Sequence, residues 1–459
     1  MGLTAGSLRL LLQRLTAFSA TNALMIRVYS MRPATSIRKL STVVAAGIAV
    51  CLASIGVGAQ TLSDQPKTDT LLNGLKVYIW NRVASPRVEA KLRIHSGAAF
   101  DPQKHEGVMR LLAENIFPNE AAREFFKEDL GGELTISTNY DYIEISASST
   151  PENMLKMLET IGTAINTVEI DKETTAKLKA NLLAELKAGE ADEAKAADRI
   201  VRARLFGIFP YGRPVNGSEE SVNRIDFADL IDARERFIRA DNASLAIAGN
   251  IDTALAKRAI RRYFGAWEKS DKRVPSTFRQ PDPPAKDTLT VEWKGGTSAE
   301  ARTAFRGAAV ADKNAPAAAV YARLLQTKLR DRIPEAVAKG VFVRSETHLL
   351  PGEFVVGLTA DPNDIGIGNG KINSPEIVAN AIAEPIMDAE FAKALSATID
   401  AWKNRNMMSL WLDVDTYKAA EPKARLDALS SVTISDVRAF AKILQSKSAA
   451  VVVVIPAAK

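Results

Sequence analysis

GVMRLLAENIF (107–117) has the spacing of a short amphipathic helix, and it places Arg110 and Glu114 four residues apart on one face. A cation and an anion at that spacing satisfy each other. On the N-terminal side, LKVYIW (75–80) follows an Asn73-Gly74 turn, and VEAKLRIH (88–95) alternates Val88, Ala90, Leu92 and Ile94 with charged or polar neighbours. Both patterns predict strands, the second half-buried. On the C-terminal side, GELTISTNYDYIEISAS (132–148) predicts a strand pair, Pro151 to Val168 a helix, and Lys172 to Phe206 a long charged helical stretch with a break near Gly189. PYGRPVNG (210–217) is a turn-rich loop.

The chain then repeats itself. Asp226 opens a helix through Phe237 that leads to the strand SLAIA (244–248), and Thr433 opens a helix through Phe440 that leads to AVVVVI (450–455). Each start has Asp or Thr followed three residues later by Asp, a capping-box pattern. The two starts are 207 residues apart, so the body reads as two related halves. Between them KSDKRVPSTFRQPDPPAKD (269–287) has the proline and charge of an extended linker. The expected division is 68–280 and 281–459. In the second half TLTVEW (288–293), ARTAFRG (301–307) and FVVGLTA (354–360) predict strands, 317–333 a helix, and 361–375 a mobile loop. Helices follow to Leu444.

Composition excludes several functions. At 459 residues, with 46% apolar and 25% charged content, the chain has ample material for folded domains. Its net charge of +6 comes from residues 1–59, which hold six basic residues and no acid; without them 54 residues of each sign remain. No nucleic-acid-binding face is implied. Within that segment RPATSIRKL follows Met31, Ser41 to Val57 is uncharged, and Val57-Gly58-Ala59 fits a cleavage site. Residues 1–59 therefore read as a leader with Met31 as the start of a signal peptide, giving a periplasmic or otherwise secreted protein with no membrane contact after cleavage. An uncleaved membrane anchor and a mitochondrial presequence fit the same residues. The single cysteine, Cys51, lies in the leader, so the mature chain has no thiol ligand or disulfide.

LLNGLKVYIW, the SGAAFDP…EGV approach to the helix, DLGGEL, PYGRPVNG and DNASLAIAGNID together resemble the insulinase or pitrilysin family of zinc metallopeptidases. The similarity is greatest to its single-clamshell branch, which includes mitochondrial processing peptidase. It implies an α+β fold of two related domains, each an antiparallel sheet packed with helices on one side, together forming half of a clamshell. Family members carry H-x-x-E-H on the first helix, two imidazole ligands flanking a glutamate base. Here the first ligand position is Arg110, the base position Ala113 and the second ligand position Glu114. Arginine offers zinc no lone pair and alanine moves no proton. The third ligand falls on Glu185 or Glu190. Carboxylates alone would make a weak oxygen site suited to a hard ion. The histidines His95, His105 and His348 are scattered, and a site rebuilt from His105, Glu106 and Glu114 lacks the one-turn spacing.

Metal-free partners in the family lend an arginine and a tyrosine to hold substrate. The matching stretch, 329–343, places the arginine at Arg330, Arg332 or Pro334 and the tyrosine at Val341, Phe342 or Val343. Tyrosine is absent, which leaves Arg330, Arg332 and Phe342 as peptide-binding candidates. The resemblance thus implies a metal-free, non-catalytic subunit with no cofactor of its own. A zinc-bearing homologue would form a heterodimer with it and hydrolyse unfolded peptide. A stand-alone peptide-binding scaffold, such as a homodimer, and an active metalloendopeptidase with a relocated site are the alternatives.

Overall fold

A computed structural model describes residues 65–270, 278, 279, 281–338, 340–365 and 373–457. The leader, and residues 366–372 of the loop read from its Gly, Asn and Pro content, lie outside the described residues. Six strands form one sheet in the order β1-β2-β6-β3-β5-β4: β1 (Lys67–Thr70), β2 (Lys76–Asn81), β3 (Val88–Ile94), β4 (Leu134–Thr138), β5 (Ile143–Ser149) and β6 (Ala243–Gly249). Five form a second in the order β7-β11-β8-β10-β9: β7 (Thr288–Trp293), β8 (Ala299–Arg306), β9 (Phe342–Glu346), β10 (Glu353–Ala360) and β11 (Ala450–Pro456).

The helices of the first half are α1 (Val108–Ile116), α2 (Glu120–Glu128), α3 (Met154–Asn166), α4 (Lys172–Gly189), α5 (Glu193–Phe206), α6 (Glu219–Arg224), α7 (Phe227–Phe237) and α8 (Thr253–Phe264). Those of the second are α9 (Ala315–Arg332), α10 (Glu335–Ala338), α11 (Ser374–Ala383), α12 (Asp388–Lys403), α13 (Met407–Tyr417), α14 (Pro422–Ser430) and α15 (Ile434–Ser446). The charged stretch 172–206 does break after Gly189, where Asp192 caps α5 through the Lys195 amide. Both capping boxes form. Asp226 and Thr433 each accept a backbone N–H of the following turn, and Asp229 and Asp436 return the bond to the cap. α15 runs to Ser446, beyond the expected Phe440, because Phe440, Ala441 and Leu444 keep its buried stripe continuous.

The mixed helix-and-sheet architecture is as expected, with two refinements. Each sheet is antiparallel apart from one pair, β2 with β6 and β7 with β11, because the repeat brings its last strand in beside its first. Each sheet is also covered on both faces. On one face of the first sheet Val88, Ala90, Leu92 and Ile94 pack in the main helical core, as their alternation predicts. The other face is not solvated: α13, from the second half, lays Met407, Trp411 and Leu412 against Tyr78, Trp80, Ala246 and Ala248. Reciprocally, α5 lays Ala197, Val201 and Leu205 against Ala304, Val355, Val452 and Val454 of the second sheet. The halves exchange helices, so neither buries its sheet alone.

Each exchanged helix is fixed by an arginine of the sheet it covers. Arg93 on β3, 1% exposed, donates to Asp413 on α13 at 2.9 Å and to Glu144 on β5 at 2.6 and 2.9 Å. Arg302 on β8, 2% exposed, donates to Asp198 on α5 at 2.6 Å and to Glu300 at 2.7 Å. Buried guanidinium groups persist only where paired and hydrogen-bonded, and these pairs fix each helix at one point along its sheet.

His95, expected on the polar side of its strand, lies in the same seam. Its Nδ1 is 3.0 Å from the Thr416 hydroxyl and its Nε2 3.1 Å from that of Ser244, which itself donates to Asp415 at 2.7 Å. Burial, with Lys418, Arg93 and Lys76 nearby, holds the imidazole pKa well below its ordinary value despite the opposing pull of Asp415. The unfolded chain takes up a proton near pH 6.5 that the folded chain refuses, so this contribution to stability is complete above that pH and falls as pH drops through it. Between pH 7.5 and 5 this group pulls the urea midpoint down by up to the equivalent of about 1.4 kcal/mol per pH unit below 6.5, against the opposite slope from Asp101, whose pKa burial raises to about 7. The midpoint of the wild type minus that of His95→Gln should therefore fall over this range, and a constant difference would refute the assignment.

Candidate functional site

α1 is set by its approach loop. The buried Asp101 carboxylate accepts the Gly107 and Met109 amides, each at 2.8 Å, and burial pushes its pKa up to about 7. Gly107 has φ +107°, a conformation few side chains tolerate, and a Cβ there would meet the Asn216 carbonyl at 3.2 Å. Residues of the PYGRPVNG loop and its neighbour brace the approach. Arg213 donates to the carbonyls of Asp101 at 2.8 Å and Ala99 at 3.0 Å, and Ser221 Oγ donates to that of Glu106 at 2.8 Å.

On the helix so placed, the i, i+4 ion pair forms: Arg110 donates to Glu114. Arg110 also reaches Glu185 on α4 at 3.3 Å. Of the two carboxylates the resemblance offers as third ligand, Glu185 is the one that lies beside α1. Glu190 ends α4, where its carbonyl accepts the Trp293 indole N–H at 2.8 Å. A residue not expected from sequence completes the group: Arg123 on α2 donates to Glu114 at 3.3 Å and to Glu120 at 3.0 Å. The Asn119-Glu120 start of α2 was a legible helix signal, but nothing local pointed Arg123 at α1. Ala113 is fully buried in the hydrophobic core. Arg110, Glu114, Arg123, Asn181 and Glu185 line a cavity of about 260 Å³.

These residues do not fit zinc. Two carboxylates are the only acidic donors in the cavity lining, both are engaged by guanidinium groups, and two fixed positive charges stand beside the metal position. A hard cation meets the same repulsion. Arg110 instead ties α1 to α4, the two helices a metal would bridge. No group of three His, Cys, Asp or Glu side chains suited to a metal occurs among the described residues. His105 lies 3.6 Å from Asp229 and Glu106 lies 3.8 Å from Arg213, so the rebuilt set with Glu114 is not assembled. His348 Nδ1 is 2.8 Å from Asp141, against the Tyr211 ring.

The second-half candidates are engaged internally. Arg330 donates to the Val341 carbonyl at 3.2 Å, Arg332 pairs with Glu384, and the Phe342 ring lies 4.8 Å from the Arg302 guanidinium and 4.5 Å from that of Arg344. Val341 and Val343 are buried, and no hydroxyl stands where a tyrosine would. The Arg330 bond ties α9 to the residue before β9, and the Arg332 pair ties it to the end of α11. Beside α1, in contrast, β4 is an edge strand, paired among the described residues with β5 alone, with Thr135 and Ser137 exposed.

Comparison with known proteins agrees with this geometry. Subunit 1 of the mitochondrial cytochrome b-c1 complex of Homo sapiens is 22% identical over 234 residues, covering 49% of this chain and 48% of that protein. The beta subunit of mitochondrial processing peptidase of Saccharomyces cerevisiae is 24% identical over 230 residues, covering 47% and 48%. The chain spans about half the length of the curated relatives it matches. A crystal structure of a peptidase M16 inactive domain from Pseudomonas fluorescens superposes with a TM-score of 0.74 at 18% identity, covering 86% of this chain and 98% of that one. The insulinase (peptidase family M16) description matches residues 76–219 and the peptidase M16 inactive domain matches residues 224–397, so the chain belongs to the insulinase family of metallopeptidases.

Proposed function

We propose that this chain is the non-catalytic subunit of a secreted two-chain M16 peptidase, in which a zinc-bearing homologue carries out hydrolysis. The observation that carries the proposal is the Arg110–Glu114–Glu185 ion chain, which takes the place of metal and ligands while keeping α1 and α4 together. The chain closes, with its partner, the chamber that two half-clamshells enclose, and holds unfolded peptide along β4, whose open edge runs beside the degenerate helix. Its relatives support a subunit role, since one is named as a subunit of the cytochrome b-c1 complex and another as a subunit of a processing peptidase.

The Ser148 amide donates to Glu133 and the Asn139 amide to Tyr142, so residues 133, 135, 137 and 139 face the β5 ladder. Leu134, Ile136 and Thr138 therefore turn their amides to the open edge. Thr138→Pro removes one such donor without breaking a ladder bond. In the assembled pair it should weaken retention of an unstructured peptide about tenfold, the scale of one lost, unreplaced hydrogen bond. Unchanged retention would place the peptide elsewhere.

The subunit role is tested by purifying the native protein from its own envelope fraction. A co-eluting chain that carries H-x-x-E-H, with chelator-sensitive cleavage only in the pair, supports it. A homodimer without such a chain favours a stand-alone scaffold, and chelator-sensitive cleavage by this chain alone overturns the reading.

A further inference from the structure

We infer that the cavity between α9, α12, α14 and α15 is a binding site for a carboxylate carried on an apolar body. It lies wholly in the second half, away from β4, and does not rest on the peptide-holding role. At about 910 Å³ it has room for several residues' worth of ligand, and it lies between α9 and α12, which hold the places in element order that α1 and α4 hold in the first half. In the first half that cleft is bridged by Arg110 and Glu185; here alanines and Trp402 leave it open.

The charge lining the cavity is unbalanced. Lys313, Arg405, Lys418 and Arg425 face two acids, Asp312 and Asp436. Both acids are already occupied by their own backbone. Asp436 accepts the Thr433 amide at 2.8 Å and its hydroxyl at 2.6 Å, and Asp312 accepts the Asn314 amide at 2.8 Å. The cations are poorly matched. Arg405 and Arg425 reach the same oxygen of Asp413 at 3.4 and 3.3 Å, while its other oxygen takes Arg93 at 2.9 Å. One carboxylate thus serves three guanidinium groups, and among the described residues Asp413 is the only acidic partner of Arg405 and Arg425. Burial, with Arg405 nearby, moves the Arg425 pKa down against the pull of Asp413.

Lys418 adds to the excess from the end of α13, held at φ +53°, a left-handed conformation that asparagine adopts more readily than lysine. Two guanidinium forks are suited to bidentate capture of a carboxylate. The Trp402 ring with Leu429 and Val432 offers surface for the rest of the ligand, which inorganic phosphate cannot use. The carboxylate could belong to a peptide C-terminus or to a free organic acid.

Calorimetry on the full chain separates these sources, with N-acetylphenylalanine, an N-acetylated alanine-rich hexapeptide ending in phenylalanine, the C-terminal amide of each, and inorganic phosphate. Binding of either acid at least tenfold tighter than its amide, weakening with salt, is the expected result. The tighter of the two acids identifies the source. Arg405→Gln and Lys418→Asn should each weaken binding severalfold; asparagine suits the left-handed backbone at 418, so that variant removes the charge without straining the chain. Absence of binding by both acids, equal binding of the amides, equal binding of inorganic phosphate, or unchanged affinity in the folded variants would overturn the site.

Discussion

Arg110→His combined with Glu114→His is expected to turn a chain that holds no zinc into one that binds a single zinc ion through both imidazoles and Glu185. The two positions are one turn apart on a helix braced by Asp101 and Arg213, and Glu185 already lies within 3.3 Å of the Arg110 guanidinium. The exchange removes the cation nearest the metal position and supplies the nitrogen donors that zinc prefers. Arg123 keeps Glu120 as partner when Glu114 is replaced. With zinc at about a thousandfold over its Kd, unfolding should become about 4 kcal/mol harder, seen as a zinc-dependent rise in Tm. Glu185→Gln in that background should weaken zinc at least tenfold, whereas Glu190→Gln should not. Peptide hydrolysis is not expected, because Ala113 still stands where the base belongs. Metal analysis showing no stoichiometric zinc in the double variant would refute the geometric assignment of the site.

The second large effect concerns the clasp between the halves. Arg93→Met should destabilise the protein by about 3 kcal/mol, the lower end of the range for removing one partner from a buried ionic group. Lys91 still holds Glu144 at 2.7 Å, and Arg405 and Arg425 still reach Asp413, which limits the loss. Adding Glu144→Gln and Asp413→Asn should not recover it, because Lys91 then loses its partner and Arg405 and Arg425 lose theirs. Arg93 and Lys91 hold the Glu144 pKa below the usual carboxylate value against its burial. The stabilisation is therefore present above the unfolded carboxylate pKa, about 4, and is lost as pH falls through the lower folded value. The gap between wild type and Arg93→Met, read from urea midpoints, should narrow below pH 4. A gap that is absent at pH 7, or that widens in acid, would mean that the arginine does not hold α13 to the sheet.

Much of the fold was legible because its signals are local. The alternation of Val88, Ala90, Leu92 and Ile94, the two capping boxes and the break after Gly189 each depend on residues within one turn or one strand. Other elements were less legible for physical reasons. α13 falls within the stretch read as helical, but it is buried on nearly all sides and so shows no amphipathic stripe that would mark the face it buries. β9 is short and carries Arg344, Ser345 and Glu346, whose pattern does not mark a strand. The choice between Glu185 and Glu190 depended on which turn of α4 faces α1, and the part played by Arg123 on a helix–helix approach that no local spacing encodes.

What the sequence determined by itself is chemical. Arginine at 110 and alanine at 113 remove a nitrogen ligand and a base whatever the fold does, because no surroundings give guanidinium a lone pair for zinc or a methyl group a proton to move. What only the tertiary structure decided is which distant side chains answer those substitutions. Arg110 bridges to a helix 75 residues away, Arg93 pairs with an aspartate 320 residues away, and a surplus of positive charge gathers at a cavity in the second half. Charges buried across a packed seam must find opposite charges or hydrogen bonds there, and the partners within reach are set by how helices and sheets stack rather than by their order along the chain.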